Sequence, residues 1–140
     1  MRFAGYAAVF DRADRGGDVV RGGAFARSLK RGTGAVPLLW QHEAGRPIGR
    51  IEYLREDRRG LRVIGRLSAG AAGREAAALL KEGAVSGLSF GYRVRAARGP
   101  STGSGQANGL RELTELELVE VSLVTLPMQP RARVHAVAGE

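Results

Sequence analysis

The hexapeptide Gly87-Leu88-Ser89-Phe90-Gly91-Tyr92 decides how the rest of the chain is read. As a strand, its successive side chains face opposite ways. Leu88, Phe90, Tyr92 and Val94 then enter a core, and Ser89 projects from the other face between Gly87 and Gly91. Two glycines beside a serine weaken a strand, because glycine orders poorly and packs nothing. What they provide is open space around a hydroxyl, which another backbone can approach. The plainer reading is a barrel bend or softened edge with an incidental serine. The hexapeptide needs the rest of the chain to choose between the two.

Composition narrows the field. The chain has 140 residues and a hydrophobic content of 44%, which suits one globular domain over 1–140 with a real core. There is no cysteine, which excludes disulfides, thiolate zinc sites and a thiol nucleophile. No apolar run reaches the length of a membrane span, and Met1-Arg2-Phe3-Ala4-Gly5-Tyr6 lacks the layout of a signal peptide. The expectation is a soluble, cytoplasmic protein without a membrane partner. The net charge of +8 attracts polyanions. Its positive residues are nearly all arginine, scattered and often beside acids, as in Arg55-Glu56-Asp57-Arg58-Arg59. With neither a recognisable module nor an aromatic stacking platform, specific nucleic-acid binding is not expected.

Taken in order, Phe3 to Phe10 reads as a first strand and Asp11 to Gly17 as a loop. Asp18-Val19-Val20 is a short extended piece, and Ala24 to Arg31 a helix carrying Phe25, Ser28 and Leu29 at helical spacing. Val36 to His42 is a strand whose Pro37 suggests an edge or a strand start. Pro47 to Arg55 and Gly60 to Leu67 form a hairpin about Asp57-Arg58-Arg59-Gly60. Ala71 to Glu82 is the clearest helix, with Ala72, Ala76, Leu79 and Leu80 on one face and Gly83 as its stop. After the Ser89 strand, residues 99–109 have no apolar anchor and read as a flexible loop. Val119 to Thr125 is the most β-prone run, and the tail over 132–140 is either a last strand or disordered. The sum is a mainly β fold of the α+β kind: a small antiparallel barrel or sandwich with short helices packed around it.

Few residues can do chemistry. Of the two histidines, His135 lies in the tail and receives no role; His42 ends an apolar strand. Alternation sends Val119, Val121 and Leu123 to one face and Glu120 and Ser122 to the other. A half-buried carboxylate there needs a partner, which any arginine supplies, and so does a histidine ring nitrogen. Ser89, His42 and Glu120 together supply a nucleophile, a base and an orienting acid. They stand on separate strands, and spacing alone cannot show that they meet. The remaining options are weak. There is no helical His-Glu-x-x-His frame for zinc, no phosphate-binding glycine loop and no pair of acids for aspartic chemistry.

Several blocks resemble, in order, the prohead maturation proteases of tailed bacteriophages, of the HK97 type, with relatives among the herpesvirus assembly proteases. They are Gly5 to Phe10, Gly17 to Val20 with Gly23 to Leu29, Val36 to His42, Gly87 to Tyr92, and Leu118 to Val124 with Pro127 and Pro130. Together they run from about Gly5 to Ala132. The resemblance implies a β-barrel surrounded by helices and a serine endopeptidase activity without a cofactor. Residue by residue it implies Ser89 as nucleophile, His42 as general base and Glu120 in the third position, where the herpesvirus proteases have a second histidine. Ser86 and Ser122 rank below Ser89. Arg131 or Arg133 stands loosely where those proteases carry an oxyanion-binding arginine segment, and the donor is left open.

The implied substrate is a scaffolding protein or the scaffold domain of the major capsid protein, cut inside assembling proheads in the bacterial cytoplasm. Self-cleavage is implied too, and residues 99–109 and the tail are the segments suited to it. The herpesvirus relatives imply a homodimer, though no dimer face is legible. The rival reading is a non-catalytic basic barrel that binds capsid or scaffold protein by charge.

Overall fold

The computed structural model describes residues 1–99 and 110–139. Most of the loop expected at 99–109 therefore lies outside the described residues. The elements in order are β1 (Arg2–Val9), β2 (Asp18–Val20), α1 (Ala26–Leu29), β3 (Leu38–Trp40), β4 (Glu43–Glu56), β5 (Gly60–Leu67), α2 (Ala71–Glu82), β6 (Gly87–Arg98), β7 (Arg111–Val124) and β8 (Val134–Ala138). The mainly β class with two short helices is as expected. The tail supplies a strand, β8, which pairs with β1.

The strands form one sheet in the order β2-β7-β3-β4-β5-β1-β8, with β6 on the other side of β7. The links of hairpin length, as between β4 and β5, do give antiparallel pairs. Two pairs are parallel: β2 with β7 at Asp18–Arg111, and β3 with β7 at Leu38–Val121. These join strands far apart in sequence, so no turn signal reports them. The sheet is also open where a closed barrel was expected. At the start of β6, Gly87 meets Arg133 in a single isolated bridge. It is flanked by Leu88 N–H to the Ala132 carbonyl and Val134 N–H to the Ser86 carbonyl, both 2.9 Å.

The long strand β7 organises the molecule. On the edge away from β6, β2 covers one end and β3 the other, which leaves Leu116 to Leu118 between them without a strand partner on that edge. The short helix α1 fills that gap. Leu116 N–H donates to the Ala24 carbonyl at 2.9 Å. Ser28 Oγ accepts Leu118 N–H at 2.8 Å and donates to the Leu116 carbonyl at 3.2 Å. Buried backbone groups must be paired, and a serine on a single helical turn does it here. The helix is correspondingly shorter than the eight residues of its apolar spacing. Beneath it, Phe25 meets Phe90 edge-on at 5.2 Å. The core continues through Phe3, Leu38, Ile48, Leu61, Leu88, Leu113 and Leu123, all fully buried.

Candidate active site

His42 does not end a strand. β3 stops at Trp40, which pairs with Glu43, so Gln41 and His42 form a two-residue reversal. Both have positive φ, 53° and 63°, the signature of the mirror-image hairpin turns that match strand twist. Neither is the Asn or Gly such turns prefer, and each costs about 1–2 kcal/mol in this conformation. Contacts to β7 hold the turn in place. Gln41 N–H donates to the Leu123 carbonyl at 2.9 Å. Gln41 Nε2 donates to Thr125 Oγ1 at 2.7 Å, and Gln41 Oε1 accepts Thr125 N–H at 3.1 Å. His42 N–H donates to Ser122 Oγ at 3.1 Å. After the histidine comes the exposed start of β4, bulged between Glu43 and Pro47.

The carboxylate arrives by a bulge. Gly91 pairs with Glu120 but Tyr92 pairs with Leu118, so Val119 has no partner. Val119 is accordingly 36% exposed and does not share the buried face of Val121 and Leu123; simple alternation fails at that residue. A bulge bends the strand and re-aims the next side chain. Glu120, which is buried, lies across Gly91: a Cβ there would stand 2.5 Å from Glu120 Oε2. The space beside Ser89 is thus filled rather than open. On its other side, a Cβ at Gly87 would meet Pro127 at 2.8 Å.

The two halves meet at 2.5 Å, His42 Nδ1 to Glu120 Oε2. The carboxylate's other oxygen accepts Ser122 Oγ–H at 2.7 Å. Ser122, fully buried, thereby ties the acid to the histidine backbone with one hydroxyl. The Glu120 hydrogen bond raises the His42 pKa above the ordinary histidine value, burial offsets part of that, and the carboxylate's charge adds to it. Nδ1 is occupied, which leaves Nε2 as the free ring nitrogen.

Ser89 pairs directly with Ser122 across the β6–β7 ladder, so the two share a face with Cβ atoms about 4.5–5.5 Å apart. It is 6% exposed. Register thus puts Ser89, Ser122 and Glu120 on one face, with His42 folded back over it. Among the described residues no hydrogen bond joins Ser89 Oγ to the His42 ring; such bonds are often long before substrate binds. The lower-ranked serines have other partners. Ser122 is committed to Glu120, and Ser86 Oγ accepts from Arg133 Nη1 at 3.1 Å. The Arg131 to Arg133 stretch runs beside the start of β6, with the Ala132 carbonyl bonded to Leu88 N–H next to Ser89. His135 lies on β8 against Tyr6, away from this cluster.

Sequence alternation already put Ser122 beside Glu120, which was the available sign of its bridging role. Nothing in the sequence marks the Gln41–Thr125 clamp. Among the described residues no group of three or more acids and histidines is placed to hold a metal ion, and no helix is long and apolar enough to cross a membrane.

A family model described as caudovirus prohead serine protease matches residues 1–140. The prohead protease of Enterobacteria phage HK97 is 32% identical over 137 residues, covering 96% of this chain; the chain spans 59% of that relative's length. The capsid assembly protease of bacteriophage T4 superposes with a TM-score of 0.65 at 15% identity, covering 90% of this chain and 82% of that one. The varicella-zoster virus protease superposes with a TM-score of 0.57 at 17% identity, over 96% and 62%. At such identities the structural likeness concerns the fold.

Proposed function

Since the chain belongs to the caudovirus prohead serine protease family, we propose that it is a serine endopeptidase with Ser89 as nucleophile, His42 as base and Glu120 as orienting acid. The observation that supports this most is the 2.5 Å contact between His42 Nδ1 and Glu120. A carboxylate on Nδ1–H fixes the tautomer whose Nε2 accepts a proton. In the reaction, Ser89 Oγ attacks the peptide carbonyl carbon while His42 Nε2 takes its proton. The C–N bond then breaks, and the same proton passes to the leaving amine. Water, deprotonated by His42, hydrolyses the acyl-enzyme and restores Ser89. Glu120 stabilises the imidazolium formed at each step. The developing oxyanion needs N–H donors, and the Arg131–Arg133 stretch beside Leu88 is the segment to examine for them.

The HK97 relative is named a prohead protease and the T4 neighbour a capsid assembly protease. The substrate proposed for this chain is accordingly a scaffolding protein or the scaffold domain of the major capsid protein, inside assembling proheads, with self-cleavage as a second reaction. Co-expression of wild type and Ser89→Ala with the capsid protein, read by intact mass, tests the proposal. Expected is a defined truncation of the capsid protein that vanishes in the mutant. Full-length capsid protein in both, with the enzyme folded, would favour the non-catalytic binding module.

A further inference from the structure

A second concentration of charge lies away from Ser89. Between α2 and the adjoining strands β4 and β5 is a cavity of about 740 Å³. Among the described residues its charged lining is wholly cationic, with Arg50 and Arg66 from the strands and Arg74 and Lys81 from the helix, over Leu67 and Ala77. Arg74 and Lys81 are two helical turns apart on one face of α2. The strand arginines share a single acid: Glu52 meets Arg2 and Arg66 at 2.9 Å and Arg50 at 3.6 Å. Among the described residues Arg74 and Lys81 have no carboxylate within ion-pair distance. Three guanidiniums on one carboxylate, plus two more cations, leave a local surplus of positive charge facing an apolar floor.

The hollow continues. A volume of about 400 Å³ shares Arg50, Arg66 and Leu67 with the first and reaches Pro47. Pro47 pairs with Leu39, on the strand that leads into the His42 reversal. A basic trough therefore runs from α2 along β4 towards the hairpin that carries the candidate base.

We propose that this trough docks an acidic peptide segment. Unbalanced cations in a concave, partly apolar surface attract an anionic chain and orient it. The floor of Leu67 and Ala77 suits the aliphatic parts of a peptide. Among the described residues no aromatic side chain lines the trough, so it lacks the stacking platform that single-stranded nucleic acid uses. The assignment of that segment to the polypeptide being cut rests on the proteolytic reading above; the binding itself does not.

The test is fluorescence anisotropy with a labelled Glu/Ala-repeat peptide on Ser89→Ala protein, so that docking is read without cleavage. Expected is saturable binding that weakens several-fold between about 0.05 and 0.15 M salt. Arg74→Glu with Lys81→Glu should weaken it about tenfold or more, since two attractions become repulsions. Arg12→Glu with Arg58→Glu changes net charge equally at exposed positions outside the trough and should leave affinity within about twofold. The milder Arg74→Gln with Lys81→Gln, checked by circular dichroism, should weaken binding in the same direction if the reversed pair misfolds. In otherwise wild-type protein, the Arg74/Lys81 reversal should leave cleavage of a neutral peptide unchanged, which separates docking from catalysis. Equal losses in the two reversed pairs, no saturable peptide binding, or tighter binding of an oligothymidylate at the same salt would each overturn the proposal.

Discussion

At the scale of single residues, the proposed chemistry rests on what Glu120 does to His42. Its hydrogen bond raises the His42 pKa. In the proposed mechanism neutral imidazole is the base, so activity should rise with pH through a midpoint above the ordinary histidine value of about 6.5. Glu120→Gln removes the charge and leaves the burial, so the midpoint should fall, and kcat should drop by about 10³-fold or more. A pH–rate series on both proteins checks the two effects together; an unmoved midpoint would contradict the pairing. The stability sign is the reverse of the activity sign. A raised histidine pKa contributes stability at pH below the unfolded value, and that contribution is lost as pH rises through the folded one. With the His42 side chain 42% exposed, solvent screening keeps it below about 1 kcal/mol. Gly91 is the other decisive residue. Gly91→Ala puts a methyl where Glu120 Oε2 lies, so the carboxylate must leave Nδ1. Activity should fall nearly as far as in Glu120→Gln, with about 1–3 kcal/mol of stability lost from crowding, measurable by urea denaturation. The sequence offered Ser89, His42 and Glu120 as candidates, but it made the glycines look like vacant space. A carboxylate folded across Gly91 is a tertiary contact between strands and leaves no local trace.

At the scale of elements, the His42 reversal is a strained turn held by its neighbours. Two residues at positive φ cost conformational energy that Gln41, Thr125 and Ser122 offset through hydrogen bonds. Such strain leads to a prediction. His42→Gly should be more stable than His42→Ala by about 1 kcal/mol, because glycine takes positive φ without penalty. Equilibrium urea unfolding of the two variants reads the difference; equal stabilities would mean the turn is not strained. The apolar run from Val36 showed that a strand lay here, but not that it would reverse at Gln41. The preferred Asn-Gly signal is missing, and the conformation is imposed by β7, some eighty residues away. The bulge at Val119 is hidden in the same manner, inside an unbroken β-prone run. The α2 boundaries, by contrast, were written locally in its apolar spacing and in Gly83.

At the scale of the molecule, the open mixed sheet has β7 as its spine, paired with β6 on one edge and with β2 and β3 on the other. Hydrogen exchange should follow that arrangement. Val121 to Leu123 should exchange slowest, and the β8 amides, at the sheet's edge, much faster. Equal protection in β8 and β7 would indicate a closed structure instead. The mainly β class was legible from strand patterns and hairpin links, and the family from blocks spread along the chain. The parallel pairs were not legible, because they depend on which distant strands find β7. The same strand carries the acid, anchors the histidine turn and faces the serine, so the site is a property of the assembled sheet. The most direct test is to treat the protein with a fluorophosphonate and map the adduct by peptide mass. One adduct is expected, on Ser89, lost in His42→Ala and weakened in Glu120→Gln. An adduct on another residue, or none in protein that still cleaves its substrate, would contradict the proposed site.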